Sequence, residues 1–131
     1  MSRGWVHETH LIVSDLDDFM TEKPSINPFI FGSDLKEGMR TTVVCSIVSG
    51  QSPFIINWFK NDVPIEQVYP RVETIRLGEF TSSLKIVDIK RNHHGNYTCK
   101  ASIATASHIF STYTASLVVQ GESHFIKIHT A

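Results

Sequence analysis

Between residues 24 and 120 the chain alternates apolar and polar side chains in short runs, and turn-forming residues separate the runs. The clearest run is in the forties. Val43, Cys45 and Ile47 fall on one side of it, and Thr42, Val44, Ser46 and Val48 on the other. A period of two marks a half-buried β-strand, because successive side chains leave opposite faces of the pleat. Phe54, Ile56 and Trp58 alternate in the same way with Ile55, Asn57 and Phe59. Leu84 and Ile86 alternate with Ser83, Lys85 and Val87, and Tyr97, Cys99 and Ala101 with polar neighbours. Tyr113, Ala115, Leu117 and Val119 form the last inward set. Breaks fall at Glu37-Gly38, at Ser49 to Pro53, at Asn61-Asp62, at Gly78-Glu79, at Lys90 to Gly95 and at Ala104 to Ser107. Most of these carry Gly, Pro, Asn, Asp or Ser, each with its own reason to turn a chain. Ile26 to Phe31 predicts an entering strand, with Pro24 and Pro28 where a missing N–H is tolerated. A short pairing is expected near Asp34-Leu35, and another strand over Val72 to Leu77. Pro64 to Pro70 is the least regular part, with room for a short strand. The pattern predicts an all-β domain with no internal repeat.

Four residues sharpen this. Cys45, Trp58 and Cys99 occur in that order, with Tyr97 two places before the second cysteine. Together they resemble the core signature of an immunoglobulin domain. The resemblance implies a Greek-key sandwich of two antiparallel sheets. It implies a Cys45–Cys99 bridge between the sheets, Trp58 packed on the bridge, and a Tyr97 hydroxyl pinning the corner before its strand. Leu84-x-Ile86 followed by Gly95-x-Tyr97-x-Cys99-x-Ala101 matches the I-set pattern. The short stretch between Trp58 and Val72 leaves little room for the extra strands of a variable-type domain. A bridge closing this loop constrains the unfolded chain by about 4 kcal/mol in the loop-entropy model. Such bridges persist in oxidising compartments. A reduced pair, as in intracellular immunoglobulin domains, is the alternative.

The resemblance extends further. Lys36 to Ser46, Val48-Ser49-Gly50, Phe80 to Leu84, His94 to Cys99 and Tyr113 to Val119 are similar to the arthropod Down syndrome cell adhesion molecule (Dscam) family. The match covers about residues 26–120 and is most like a variable domain, including the first domain of the shortened Dscams of chelicerates. It implies a cell-surface module that pairs with an identical copy on an opposing cell. Such a module lies on the extracellular side of the plasma membrane, in a larger receptor, and meets the membrane only through other parts of that receptor. One residue departs from the I-set pattern. Asp often stands two places before the corner glycine; here His93 stands there, which removes the acid from the Asp–Arg pairing expected at that corner.

Composition adds limits. The chain has 131 residues, 41% of them hydrophobic, and a net charge of −1. That length holds one sandwich of about 100 residues with flanks. A near-neutral chain has no basic field to favour nucleic acid as a partner. The longest apolar runs, such as Leu117-Val118-Val119, fall far short of the ~20 residues a membrane helix needs. Met1 to Met20 lacks the charge-then-apolar order of a signal peptide, since Glu8, Asp15, Asp17 and Asp18 surround its one apolar stretch, Leu11-Ile12-Val13. Residues 1–23 read as a flexible leader or a gene-boundary artefact, 24–120 as the domain, and 121–131 as a tail or linker.

Candidate chemistry is sparse. The chain has seven histidines. His93 and His94 are adjacent, so an extended chain points them apart, and no Cys or carboxylate stands beside them at ligand spacing. They read as an exposed corner, and His7 and His10 as part of a solvated leader. No Gly-rich phosphate loop or Gly-x-Ser-x-Gly elbow is present. The sequence therefore names no catalytic residue, no metal and no cofactor. Lys85, Lys90 and Arg91 read as a solvated strand end.

Binding remains. Asn96-Tyr97-Thr98 is an N-glycosylation acceptor in a secreted chain. Its glycan would screen the outer face of the sheet that carries Trp58 and Tyr97. The opposite sheet is then the candidate homophilic interface. Its outward set is expected to be Thr42, Val44, Ser46 and Val48, then Thr74 and Arg76, then Ser83, Lys85 and Val87. The bland alternative is that exposed valines are ordinary strand formers. Two other functions fit the same landmarks: an intracellular structural I-set domain of a muscle or cytoskeletal protein, and a soluble immune module that binds foreign ligands through its loops.

Overall fold

The computed structural model describes residues 22–121. The readings of the leader before residue 22 and of the tail after residue 121 lie outside the described residues. Eight strands follow in order: β1 (Ser25–Ile26), β2 (Thr41–Ser49), β3 (Phe54–Lys60), β4 (Val63–Pro64), β5 (Glu73–Arg76), β6 (Thr81–Ile86), β7 (Gly95–Ile103) and β8 (Ala106–Leu117). They form two four-stranded sheets, ordered β1-β2-β6-β5 and β4-β3-β7-β8. All pairings within them are antiparallel. This is the expected all-β, immunoglobulin-like sandwich.

The alternation builds the core. Val43, Cys45, Ile47, Phe54, Trp58, Leu84, Ile86, Tyr97, Cys99, Ala101, Ala115 and Leu117 are all buried, as their parity requires. Cys45 of β2 and Cys99 of β7 are bridged, which ties one sheet to the other. Trp58 packs beside the bridge. Its indole N–H, which is costly to bury unpaired, donates to Ser82 Oγ at 2.9 Å. Ser82 lies on β6 with Leu84, so the Trp58–Ser82 bond is a second link between the sheets.

Three expectations need correction. The entering strand reaches only Ser25–Ile26, not Phe31. Pro28 offers no N–H to a ladder, and the following residues serve the core through their rings instead. Phe29 packs on Trp58 and Tyr113 with ring centres 5.6 and 5.0 Å away, and Phe31 on Tyr97 at 5.3 Å. The short pairing then appears as a parallel bridge of Lys36 with Gln120. The irregular stretch holds β4 and a 3-10 turn, Ile65–Gln67. Asn61 and Asp62, with φ of 48° and 69°, make the tight turn between β3 and β4.

The second correction concerns His93. It is not an exposed corner residue but is 2% exposed, at the end of a 3-10 turn, Arg91–His93; His94 alone faces solvent. The third concerns the phase of β5: Thr74 and Arg76, expected to face outward, pair with the buried Leu84 and Ser82.

Candidate recognition face

Residues directly opposite on neighbouring strands share a face. In the β2-β6-β5 sheet the register pairs Thr42 with Lys85, Val44 with Ser83, and Ser46 with Thr81. It also pairs Glu73 with Lys85 and Ile75 with Ser83. The outer face is therefore built of cross-strand rows. One is Thr42–Lys85–Glu73, and the next is Val44–Ser83–Ile75.

Thr74 and Arg76 belong to the other parity. They pair with Leu84 and Ser82, both buried, so they are not members of the outward row. Both are still exposed, because β5 is the sheet's edge strand. Arg76 works as a clamp. Its Nε donates to Gly78 O at 2.7 Å, and its Nη2 to Glu79 O at 2.8 Å and to Phe54 O at 3.1 Å. It fixes the turn after β5 to the opposite sheet. The outward residues of β5 are Glu73 and Ile75. The signal for them was Val72, which is buried and fixes the even positions as inward.

The middle row has no charge. Val44 is 38% exposed and Ile75 50%, while Ser83 between them is only 8% exposed. A small side chain flanked by two larger ones lies in a shallow trough. Val48 and Val87 extend the apolar surface along β2 and past β6, and Leu77 extends it beyond β5. Lys85 and Glu73 stand opposite each other without an ion pair. Among the described residues the one ion pair is Lys90 with Asp88, at 3.2 Å and exposed.

The outer face of the other sheet is different. Thr98 and Thr114 share a hydroxyl hydrogen bond at 2.7 Å, and Ser116 Oγ donates to Asn96 Oδ1 at 2.6 Å. Asn96 is exposed, as a glycan acceptor must be. Lys100 Nζ lies 4.4 Å from the centre of the Phe110 ring. Around Asn96 this face is a mesh of hydroxyl and amide groups, while at the other end of β7 the row Ile55–Ser102–Phe110 is uncharged, with both ends half-exposed.

The corner before β7 holds the described groups with perturbed titration. Tyr97 OH donates to His93 O at 2.5 Å, and burial drives its phenol well above the ordinary range. Lys60, on β3, donates to Asn92 O at 2.5 Å, and burial lowers its ammonium. His93 Nδ1 accepts the Lys90 N–H at 2.8 Å. Burial and then the charge of Lys60 lower the His93 ring below its usual value, against smaller effects of the Arg71 and Pro70 backbone and of Asp88. Gly95 follows at φ +146°, where a Cβ would sit 3.0 Å from the Asn61 side chain. Among the described residues no group of His, Cys, Asp or Glu is arranged to hold a metal, and no helix is long and apolar enough to cross a membrane.

The chain belongs to the immunoglobulin domain family, whose pattern, described as "Immunoglobulin domain", matches residues 23–102. Its relatives place it among Dscam-like immunoglobulin domains. It is 37% identical over 97 residues to the cell adhesion molecule Dscam2 of Drosophila melanogaster, across 74% of this chain and 4% of that protein. It is 41% identical over 78 residues to the cell adhesion molecule DSCAM of Rattus norvegicus, across 60% of this chain and again 4% of the relative. The chain thus spans a small part of the curated relatives it matches. Among solved structures it superposes on the Dscam1 Ig7 domain, isoform 5, with a TM-score of 0.68 and 30% identity, covering 75% of this chain and 97% of that one. An I-band fragment of titin, I67–I69, matches with a TM-score of 0.62 and 26% identity, over 75% of this chain and 32% of that one.

Proposed function

We propose that this domain is an extracellular recognition module that binds a second copy of itself. The binding surface is the outer face of β2, β6 and β5. The observation that carries this reading is the uncharged row Val44–Ser83–Ile75 on the sheet opposite the sequon. Interfaces lose charge at their centre and keep polar groups at the rim, and the row of Thr42, Lys85 and Glu73 supplies one such rim. The likeness to cell adhesion molecules supports the same reading. So does the Cys45–Cys99 bridge, which suits the outside of a cell.

The pairing is antiparallel about a two-fold axis and joins copies on opposing cells. The domain proper runs over 24–120, in a larger receptor that supplies the membrane attachment. Asn96 carries a glycan that keeps partners off the β3-β7-β8 face. A two-fold contact meets itself, so one substitution acts on both sides at once and separates isoforms. A single domain pair is weak, and many copies on a membrane supply the avidity for adhesion.

Sedimentation equilibrium of the oxidised, secreted chain, from low to high micromolar, tests this. The expected result is a reversible monomer–dimer curve that Val44→Asp abolishes while the variant stays folded. A monomer at every concentration, or a dimer indifferent to Val44→Asp, contradicts it.

A further inference from the structure

We propose that His93 is an acid-sensitive latch: protonation of its ring releases the corner that leads into β7. The geometry requires a neutral ring. Nδ1 accepts the Lys90 N–H at 2.8 Å, so it holds a lone pair and the ring proton sits on Nε2. Nε2 is buried and has no hydrogen-bond partner. The buried ring therefore makes one hydrogen bond, in which it is the acceptor.

A second proton ends that contact. Nδ1–H would then face the Lys90 N–H, donor against donor. The new charge would be buried beside a cation, since Lys60 reaches from β3 to donate to Asn92 O at 2.5 Å and lies 5.9 Å from the centre of the Tyr97 ring. The other charged groups around the corner offer little relief. Asp88, after β6, is exposed and paired to Lys90. Glu37, before β2, accepts the Arg91 N–H at the exposed end of the turn. The Arg71 and Pro70 backbone, before β5, lies close to the ring and favours its charged form, but by less than burial and Lys60 oppose it. Tyr97 donates to the carbonyl of His93 itself, so the corner hydrogen bond fails if the turn moves.

The sign follows from linkage. Burial and Lys60 hold the folded ring below its usual value. An unfolded histidine titrates near 6.5. The contribution of His93 is complete above about pH 6.5. It is lost as pH falls through that value and below it, until the folded ring itself takes up the proton. The unfolding equilibrium constant then rises by up to about tenfold per pH unit, the limit for one proton. A surface receptor carried from neutral medium into an acidified vesicle would cross this window.

The test is urea unfolding of the full oxidised chain between pH 8 and pH 5, with the His93 ring followed by NMR in the same range. His93→Asp is the comparison, because a carboxylate accepts the same N–H and keeps its negative charge beside Lys60 through this window. The wild type should lose stability below about pH 6.5, with its His93 ring titrating below that value, and His93→Asp should flatten the loss. A ring that titrates at 6.5 or above, or a His93→Asp variant with the wild-type slope, overturns the proposal. If His93→Asp does not fold, the wild-type ring titration and amide exchange at Tyr97 decide alone: exchange faster at pH 5.5 than the pH change itself dictates supports the latch, and exchange no faster overturns it.

Discussion

The two outer faces of this sandwich have the same architecture but place their uncharged rows differently with respect to the sequon. On the β2-β6-β5 sheet the middle row is Val44–Ser83–Ile75, with no side-chain charge and two half-exposed aliphatic groups. On the β3-β7-β8 sheet the surface around the sequon is Asn96, Thr98, Thr114 and Ser116, joined in pairs by hydrogen bonds, and the uncharged row Ile55–Ser102–Phe110 lies at the far end of β7 from it. Both faces meet the same core, and the disulfide ties them together. A polar mesh is content with water and a glycan; an apolar row beside a charged one gains by being covered.

The largest effect should come from cutting the tie. Converting both Cys45 and Cys99 to Ser removes a cross-link spanning 54 residues, worth about 4 kcal/mol in the loop-entropy model. Urea unfolding should show that loss, and both faces should lose their definition with it. Ser82→Ala acts on the second link. It leaves the buried Trp58 N–H without its acceptor and should cost about 1–3 kcal/mol without changing either outer face. Next come matched charges on the two faces. Ile75→Asp should weaken self-association at least about tenfold, the scale of 1.4 kcal/mol, while Thr114→Asp should leave it unchanged. Equal effects at the two sites would erase the contrast between the faces. The smallest effect belongs to Asn96→Gln in the secreted protein. It should remove the glycan mass and move unfolding stability by no more than about 0.5 kcal/mol, as surface changes do. An unchanged mass would show that the sequon is unused.

Much of this was legible in the sequence, for physical reasons. Long central strands display their phase, because one face is buried over many residues; Val43, Cys45 and Ile47 could face only inward. The Cys–Trp–Cys order with its tyrosine is legible because a bridge, an indole and a hydroxyl impose fixed spacings. The edge strand β5 was not. It is four residues long, all of them exposed, so its own pattern holds no contrast. Its phase comes from Val72, just outside it, and from pairing with β6. His93 was hidden for another reason. Next to His94 it looks like solvent-facing polarity, and nothing local says that its Nδ1 accepts the Lys90 N–H and caps the turn. The Trp58–Ser82 bond was not legible because, although parity turns Ser82 inward, only the packing of β3 against β6 brings its hydroxyl to the indole.

The most direct measurement is an NMR dilution series on the oxidised chain, reading backbone and methyl shifts from high to low concentration. The pairing account predicts concentration-dependent shifts at Val44, Ser83 and Ile75, with Thr98, Thr112 and Thr114 unmoved. Shifts centred on β7 and β8, or none across the series, would contradict it.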